Sequence, residues 1–313
     1  MKRPRNGRIA SRLLLAAALA SAPSACEAVF PLDGYEGTPD GGDVDGSDDR
    51  AAPDAPGDEA VDDGDTGPRP DAADGGQSPD ADVCARFTRG PKMVRAGAIC
   101  IDSTEVTEAQ YQLFIAAKAG DAGLQPPECS WNTTWVPATT CPFDPSGHAA
   151  YPVEGIDWCD AYGYCAWAGK RLCGRVGGGT IPSSDASVVG DYRTSERTAV
   201  CTQGGALQFP YGNVFDPNGC NGGEHAGPRE PVPVETTPGC QGGYPGVFDM
   251  AGNVHEWENA CDTTTSGANG ANDVCAFRGG SFHDVPQDSC ATTYAWGRAQ
   301  IDCDIGFRCC ADP

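Results

Sequence analysis

The sequence predicts an α+β domain with little regular secondary structure, held together by disulfides, from about residue 84 to residue 313. All but one of the 17 cysteines fall within this range, which leaves an even number for pairing. Only two stretches show helical spacing, and elsewhere short apolar segments alternate with Gly, Pro and Asn clusters. Disulfides suit such a chain, because loops bury too little apolar surface to hold one another in place.

The first 25 residues have the order of a secretion signal: basic residues, then an apolar run, then small residues. The apolar run is shorter than the roughly 20 residues that span a bilayer. Residues 20–22 fit the cleavage site of a soluble exported protein, whereas residues 24–26 fit the end of a lipoprotein signal. We favour the second, in which Cys26 carries a lipid and anchors the chain to a membrane. Either outcome predicts an exported protein, at the cell envelope or secreted.

Residues 27–83 are rich in Asp, Gly and Pro and poor in branched apolar side chains. Such a segment cannot bury enough apolar surface to offset its ordering entropy, so we predict a disordered acidic linker. The net charge of the whole chain is −23, and much of it lies in this segment. Because an acidic protein repels phosphate backbones, nucleic acid is not expected as a partner.

Two helices are predicted within the domain. The first spans about 107–119, with Thr107 as its cap and apolar residues at helical spacing behind it. The second spans about 157–169, where aromatic residues crowd one side and Gly169 ends the helix.

Several short motifs follow one another in an order more specific than composition. They are IDSTEVT at 101–107, YPV at 151–153, YCAWAGKRL at 164–172, FPYGN at 209–213, VFDMAGNVHEW at 247–257, FRGGSF at 277–282 and GFRC at 306–309. This series resembles the formylglycine-generating enzymes, also called sulfatase-modifying factors. The resemblance covers nearly all of residues 94–311 and implies a C-type-lectin-like α+β fold.

The resemblance also implies a calcium ion in the loop before Trp257, with Asn253, Val254 and Glu256 as ligands. Oxygen ligands from carbonyl, amide and carboxylate groups suit calcium. The alternative is that Glu256 only accepts hydrogen bonds from the loop backbone. A second family calcium site matches weakly at Asn221, because the downstream Asp of that site is missing.

Two further features concern cysteine. The family has a disulfide that here corresponds to Cys165 with Cys309. Its aerobic enzymes hold copper between two thiolates, which stand three and eight residues after the Ser of the GGS motif, here Ser281. Counting forward gives Asp284 and Ser289.

Counting backward from Arg298 places Cys290 on the second thiolate and Val285 on the first. At most one copper thiolate therefore remains, so copper is not expected, and a disulfide is the favoured role of Cys290. Cys290 and Ser281 stay as candidate catalytic residues. A new cluster of His283, Asp284 and Cys290 in the former copper cleft is a further alternative.

These observations lead to three hypotheses of function. The first is an exported binding or structural module, whose unidentified ligand or peptide lies near Ser281, Asp284, Trp257 and Arg298. The second is an oxidoreductase that acts on a peptide cysteine through rearranged metal ligands. The third, based on fold analogy alone, is a calcium-dependent lectin.

Overall fold

The computed structural model describes residues 83–118, 125–225, 227, 229–262, 270–284 and 289–313. The predicted signal, Cys26, Val285 and all but the last residue of the predicted linker lie outside these ranges. Within them, no helix is both long and apolar enough to cross a membrane.

Both predicted helices are present, together with two short ones. The first helix begins one residue after Thr107, whose hydroxyl accepts a hydrogen bond from the Gln110 backbone N–H at 3.4 Å. The second begins after Asp157, which forms a reciprocal capping box with Asp160. It ends before Gly169, whose φ of +75° favours glycine. The four helices are α1 (Glu108–Lys118), α2 (Trp158–Trp167), α3 (Ala186–Val189) and α4 (Glu196–Cys201).

The strands of the described residues are β1 (Met93–Ala96), β2 (Ile99–Asp102), β3 (Arg171–Leu172), β4 (His255–Asp262), β5 (Val274–Arg278), β6 (Thr293–Gly297), β7 (Ile305–Phe307) and β8 (Cys309–Ala311). They form two four-stranded sheets in the order β1-β2-β8-β3 and β6-β5-β4-β7. In the second sheet β4 pairs antiparallel with β5 and parallel with β7. Long loops connect these short elements, so the predicted α+β class with low regular structure is confirmed.

An aromatic core joins α1 and α2 to the second sheet. The ring of Tyr111 stacks on that of Tyr164 at 5.7 Å, and Phe114 meets Trp135 edge-on at 5.0 Å. These rings are all buried, as is Phe307 of β7, which contacts Tyr164. Large aromatic rings supply much of the buried apolar area in a domain whose helices and strands are short.

Eight disulfides join all the cysteines of the described ranges. Cys165 of α2 is bonded to Cys309 of β8, which is the pair that the resemblance implies. The other bonds are Cys84–Cys100, Cys129–Cys159, Cys141–Cys303, Cys173–Cys310, Cys201–Cys290, Cys220–Cys240 and Cys261–Cys275. Three of them link residues more than a hundred positions apart, which restricts the unfolded chain strongly.

Candidate functional site

Three separate segments meet at the start of β4. The parallel register of β4 with β7 sets His255 opposite Ile305, and the His255 N–H donates to the Asp304 carbonyl at 2.8 Å. After β5, the chain turns through Gly279 and Gly280, both with positive φ. This turn brings Ser281 and Asp284 to the same place as His255 and Asp304.

A histidine, two carboxylates and a hydroxyl form the centre of this site. Nε2 of His255 lies 2.6 Å from Oδ2 of Asp284. The hydroxyl of Ser281 donates to Oδ2 of Asp304 at 2.9 Å, and the Ser281 backbone N–H donates to Asp284 at 2.8 Å. One ligand atom from each of His255, Asp284 and Asp304 lies within 4.8 Å of the other two, a spacing that can hold a metal ion.

The two carboxylates of this cluster have opposite pKa shifts. Burial tends to raise the pKa of Asp284, but the hydrogen bond and the charge of His255 bring it below its usual value. Burial raises the pKa of Asp304, and the charges of Asp302 and Asp284 raise it further against the opposing effect of His255. The surroundings of Asp304 therefore favour its protonated form, whereas those of Asp284 favour its ionised form.

A third acidic side chain, Glu154, lies close enough to Asp304 for the two carboxyl groups to interact. Burial raises its pKa to about 8, with further contributions from Asp304, Glu108 and Asp302. Its Oε1 atom is buried without a hydrogen-bond partner among the described residues.

A cleft of about 360 Å³ lies beside Glu154, although His255, Ser281, Asp284 and Asp304 do not line it themselves. Glu154 lines it directly, as do Phe282, which lies between Ser281 and Asp284 in the chain, and Cys303, which precedes Asp304. The remaining lining residues are Glu108, Pro142, His148, Tyr151, Pro152, Arg229, Glu230 and Pro231. The walls therefore combine three glutamates and three prolines with Tyr151, Phe282 and His148, and they include one arginine.

Two residues predicted for the cleft lie elsewhere. Trp257 is 1% exposed, and its ring packs against Phe277 inside the core. Arg298 pairs with Asp273 and lies over the ring of Trp158 at 4.5 Å. Neither side chain lines the cleft, because a match in sequence does not give the direction of a side chain.

The loop before Trp257 does not fit the predicted calcium ion. Oε2 of Glu256 accepts hydrogen bonds from Nε of Arg197 at 2.7 Å and from Nε of Arg308 at 2.9 Å. Oε1 accepts a further one from Nη2 of Arg308 at 2.8 Å. A calcium ion bound to this carboxylate would lie against two guanidinium groups, whose charge repels it. Glu256 is therefore held by two arginines and not mainly by the loop backbone, an arrangement that does not favour calcium.

The amide ligand predicted for calcium is also satisfied by the protein. Oδ1 of Asn253 accepts from the Val232 N–H at 2.9 Å and from Nδ2 of Asn221 at 3.3 Å. Asn253 has a positive φ of 59°, which asparagine tolerates, and Val254 beside it is fully buried. These residues hold the loop that leads into β4 rather than a cation site.

Cys290 is bonded to Cys201 of α4 and is fully buried. Its sulfur is thus neither a free nucleophile nor a metal ligand unless that bond is first reduced. The alternative cluster of His283, Asp284 and Cys290 does not form either, because the imidazole that contacts Asp284 is that of His255.

Sequence reasoning missed His255 and Asp304 as site residues. Both stand inside quoted motifs or next to them, His255 in the VFDMAGNVHEW segment and Asp304 two residues before GFRC. A titratable residue inside or next to a recognised motif is a signal that could have marked both as candidates. Only the pairing of β4 with β7, however, brings the two residues together.

Comparison with known proteins agrees with this architecture. The family described as "Sulfatase-modifying factor enzyme 1-like domain" matches residues 74–313. An inactive C-alpha-formylglycine-generating enzyme 2 from Bos taurus is 29% identical over 51% of this chain and 50% of its own length. The formylglycine-generating enzyme from Bos taurus is 27% identical over 52% of this chain and 44% of its own. The chain therefore spans about half the length, or less, of these relatives.

Among solved structures, PvdO from Pseudomonas aeruginosa is similar with a TM-score of 0.46 and 19% identity. That similarity covers 69% of this chain and 80% of PvdO. Because the family match extends over the whole disulfide-bonded domain, this chain belongs to the sulfatase-modifying factor enzyme 1-like family.

Proposed function

We propose that this protein is an exported binding module that keeps the sulfatase-modifying factor fold without thiolate-copper chemistry. The Cys201–Cys290 disulfide carries the proposal, because it occupies the one cysteine that matched a copper ligand. The position three residues after Ser281 holds Asp284, which is paired with His255. A soft Cu(I) ion requires thiolates that this site does not offer.

The relatives alone do not decide between binding and catalysis. One is named as an inactive formylglycine-generating enzyme and another as an active one. The cysteine arrangement of this chain favours the inactive kind. The ligand of the module would occupy the 360 Å³ cleft beside Ser281 and Asp284, where carboxylates and aromatic rings suit a peptide with basic groups.

Cu(I) titration of the native, non-reduced protein tests this proposal. We expect no free thiol in the disulfide-bonded domain and no tight stoichiometric Cu(I) binding, while chemically reduced protein serves as the positive control. Tight binding of one Cu(I) by the native protein would show that the thiolate chemistry survives and would refute the proposal.

Attachment to the cell envelope forms the second part of the proposal. Eight disulfides are typical of proteins from oxidising compartments, and the small residues before Cys26 fit a lipoprotein signal. Labelling with a radioactive fatty acid in a bacterial host should modify the native chain but not Cys26→Ser. Equal absence of label in both proteins would favour soluble secretion.

A further inference from the structure

The cluster at the start of β4 has the donor set of a transition-metal site. It combines one imidazole nitrogen with two carboxylates, all within 4.8 Å of one another. Imidazole and carboxylate ligands suit divalent first-row ions such as Zn²⁺ and Mn²⁺, whereas Cu(I) prefers sulfur. The three residues come from separate segments of the chain, so they come together as possible metal ligands only in the folded protein.

Glu154 gives a second observation beside the cluster. This side chain is only 5% exposed, and its Oε1 atom has no partner among the described residues. The charge that acts on it most strongly is that of Asp304, another carboxylate. A buried carboxylate without a partner is costly, and a cation beside Asp304 would compensate both acids at once.

Neighbouring groups hold the three ligands in place. Rings of Phe277 and Tyr294 pack edge-on against the His255 imidazole at 5.0 and 4.9 Å. Ser281 orients both carboxylates, through its hydroxyl to Asp304 and its backbone N–H to Asp284. Hydrogen bonds of this kind fix the direction of the two aspartates, while Nδ1 of His255 is buried without a hydrogen-bond partner among the described residues. Both aspartates are partly exposed, which gives an ion a path into the site.

The simpler explanation is an ion pair between His255 and Asp284 that needs no metal. It accounts for one carboxylate but leaves Asp304 and Glu154 beside each other without an equivalent positive charge. A divalent ion accounts for all four groups.

We propose that His255, Asp284 and Asp304 bind one divalent first-row transition-metal ion, with Glu154 as an acidic neighbour of the bound ion. With three protein ligands, the ion retains open positions toward the cleft, where water or an oxygen group of a ligand can bind. The site does not depend on the proposed binding role, since metal binding is measured without any other ligand.

Calorimetric titration of the chelator-treated full chain with Zn²⁺, and absorption spectroscopy with Co²⁺, test this site. We expect one equivalent of each metal to bind the native protein. His255→Gln, Asp284→Asn and Asp304→Asn should each weaken Zn²⁺ binding at least about tenfold, and Glu154→Gln by about threefold to tenfold. His255→Gln should also change the Co²⁺ spectrum, because a nitrogen ligand is lost.

Asp302→Asn is the matched control, since it removes the same charge two residues away without removing a ligand. Its Zn²⁺ affinity should stay within about threefold of native if ligation rather than net charge holds the metal. Circular dichroism shows whether each variant remains folded. An aspartate variant that unfolds is replaced by Asp284→Ser or Asp304→Ser. No stoichiometric Zn²⁺ or Co²⁺ binding by the native chain would overturn the proposal. Equal weakening by Asp302→Asn and Asp304→Asn would overturn it as well.

Discussion

His255 and Glu256 are neighbours on β4, yet their side chains meet opposite electrostatic surroundings. Successive residues of a strand face opposite sides of the sheet. On one side, two arginines surround the buried carboxylate of Glu256. On the other, the single imidazole of His255 faces Asp284 and Asp304.

The carboxylates of Glu256 and Asp304 differ in whether arginines lie against them. Burial tends to raise the pKa of Glu256, but Arg197 and Arg308 bring it below the usual value, so the carboxylate stays ionised. Burial instead raises the pKa of Asp304 and Glu154, whose neighbours include further carboxylates. A buried carboxylate held between two arginines serves the fold, while a carboxylate with a raised pKa near a cleft is a candidate site for a ligand.

The largest effect is expected from Glu256→Gln. This change leaves two buried guanidinium groups without their carboxylate and should lower the free energy of unfolding by about 3–5 kcal/mol. Urea denaturation with the disulfides intact measures the loss. Asp191→Asn is the control, because Asp191 pairs with Arg193 at the surface, at 3.6 Å, and should change stability by less than about 0.5 kcal/mol. A similarly small loss for Glu256→Gln would show that the buried ion pairs of Glu256 stabilise the fold no more than a surface ion pair does.

A pH-dependent effect of intermediate size is expected from Glu154. The folded protein holds the proton of this carboxyl up to about pH 8, whereas the unfolded chain releases it near the ordinary value of 4.5. The folded state therefore binds more protons between these values, and stability should fall as pH rises from about 5 to 8. The slope should be at most about 1.4 kcal/mol per pH unit. Urea denaturation at several pH values, with a chelator present, should show a shallower fall for Glu154→Gln. Identical slopes in both proteins would contradict the raised pKa.

The smallest effect on stability is expected from Asp284→Asn. Asp284 is partly exposed, and an amide can still accept from the Ser281 N–H, so the loss should be about 1 kcal/mol or less. Denaturation of the metal-free protein measures it. The difference between this loss in free energy of unfolding and that of Glu256→Gln measures how far the two sides of β4 differ. A loss as large as that of Glu256→Gln would mean that the cluster supports the fold rather than a ligand.

Local patterns predicted the helices well because capping and periodicity act within a few residues. Thr107 and Gly169 mark helix ends through their own backbone and side-chain groups. The candidate site was predicted only in part, since Ser281 and Asp284 belong to it but Trp257 and Arg298 do not. The partners of Asp284 come from β4 and from the residue before β7, and no local sequence pattern predicts that they lie close to Asp284.

The amino-acid sequence by itself determined the family, the α+β class, the two main helices and the shortage of copper thiolates. All of these depend on residue types at short or fixed spacing along the chain. Tertiary structure alone decided that Glu256 lies between two arginines, and that His255 joins Asp284 and Asp304. The physical reason is that charge compensation acts through space, and the register of β4 with β7 sets which charges come within reach of one another.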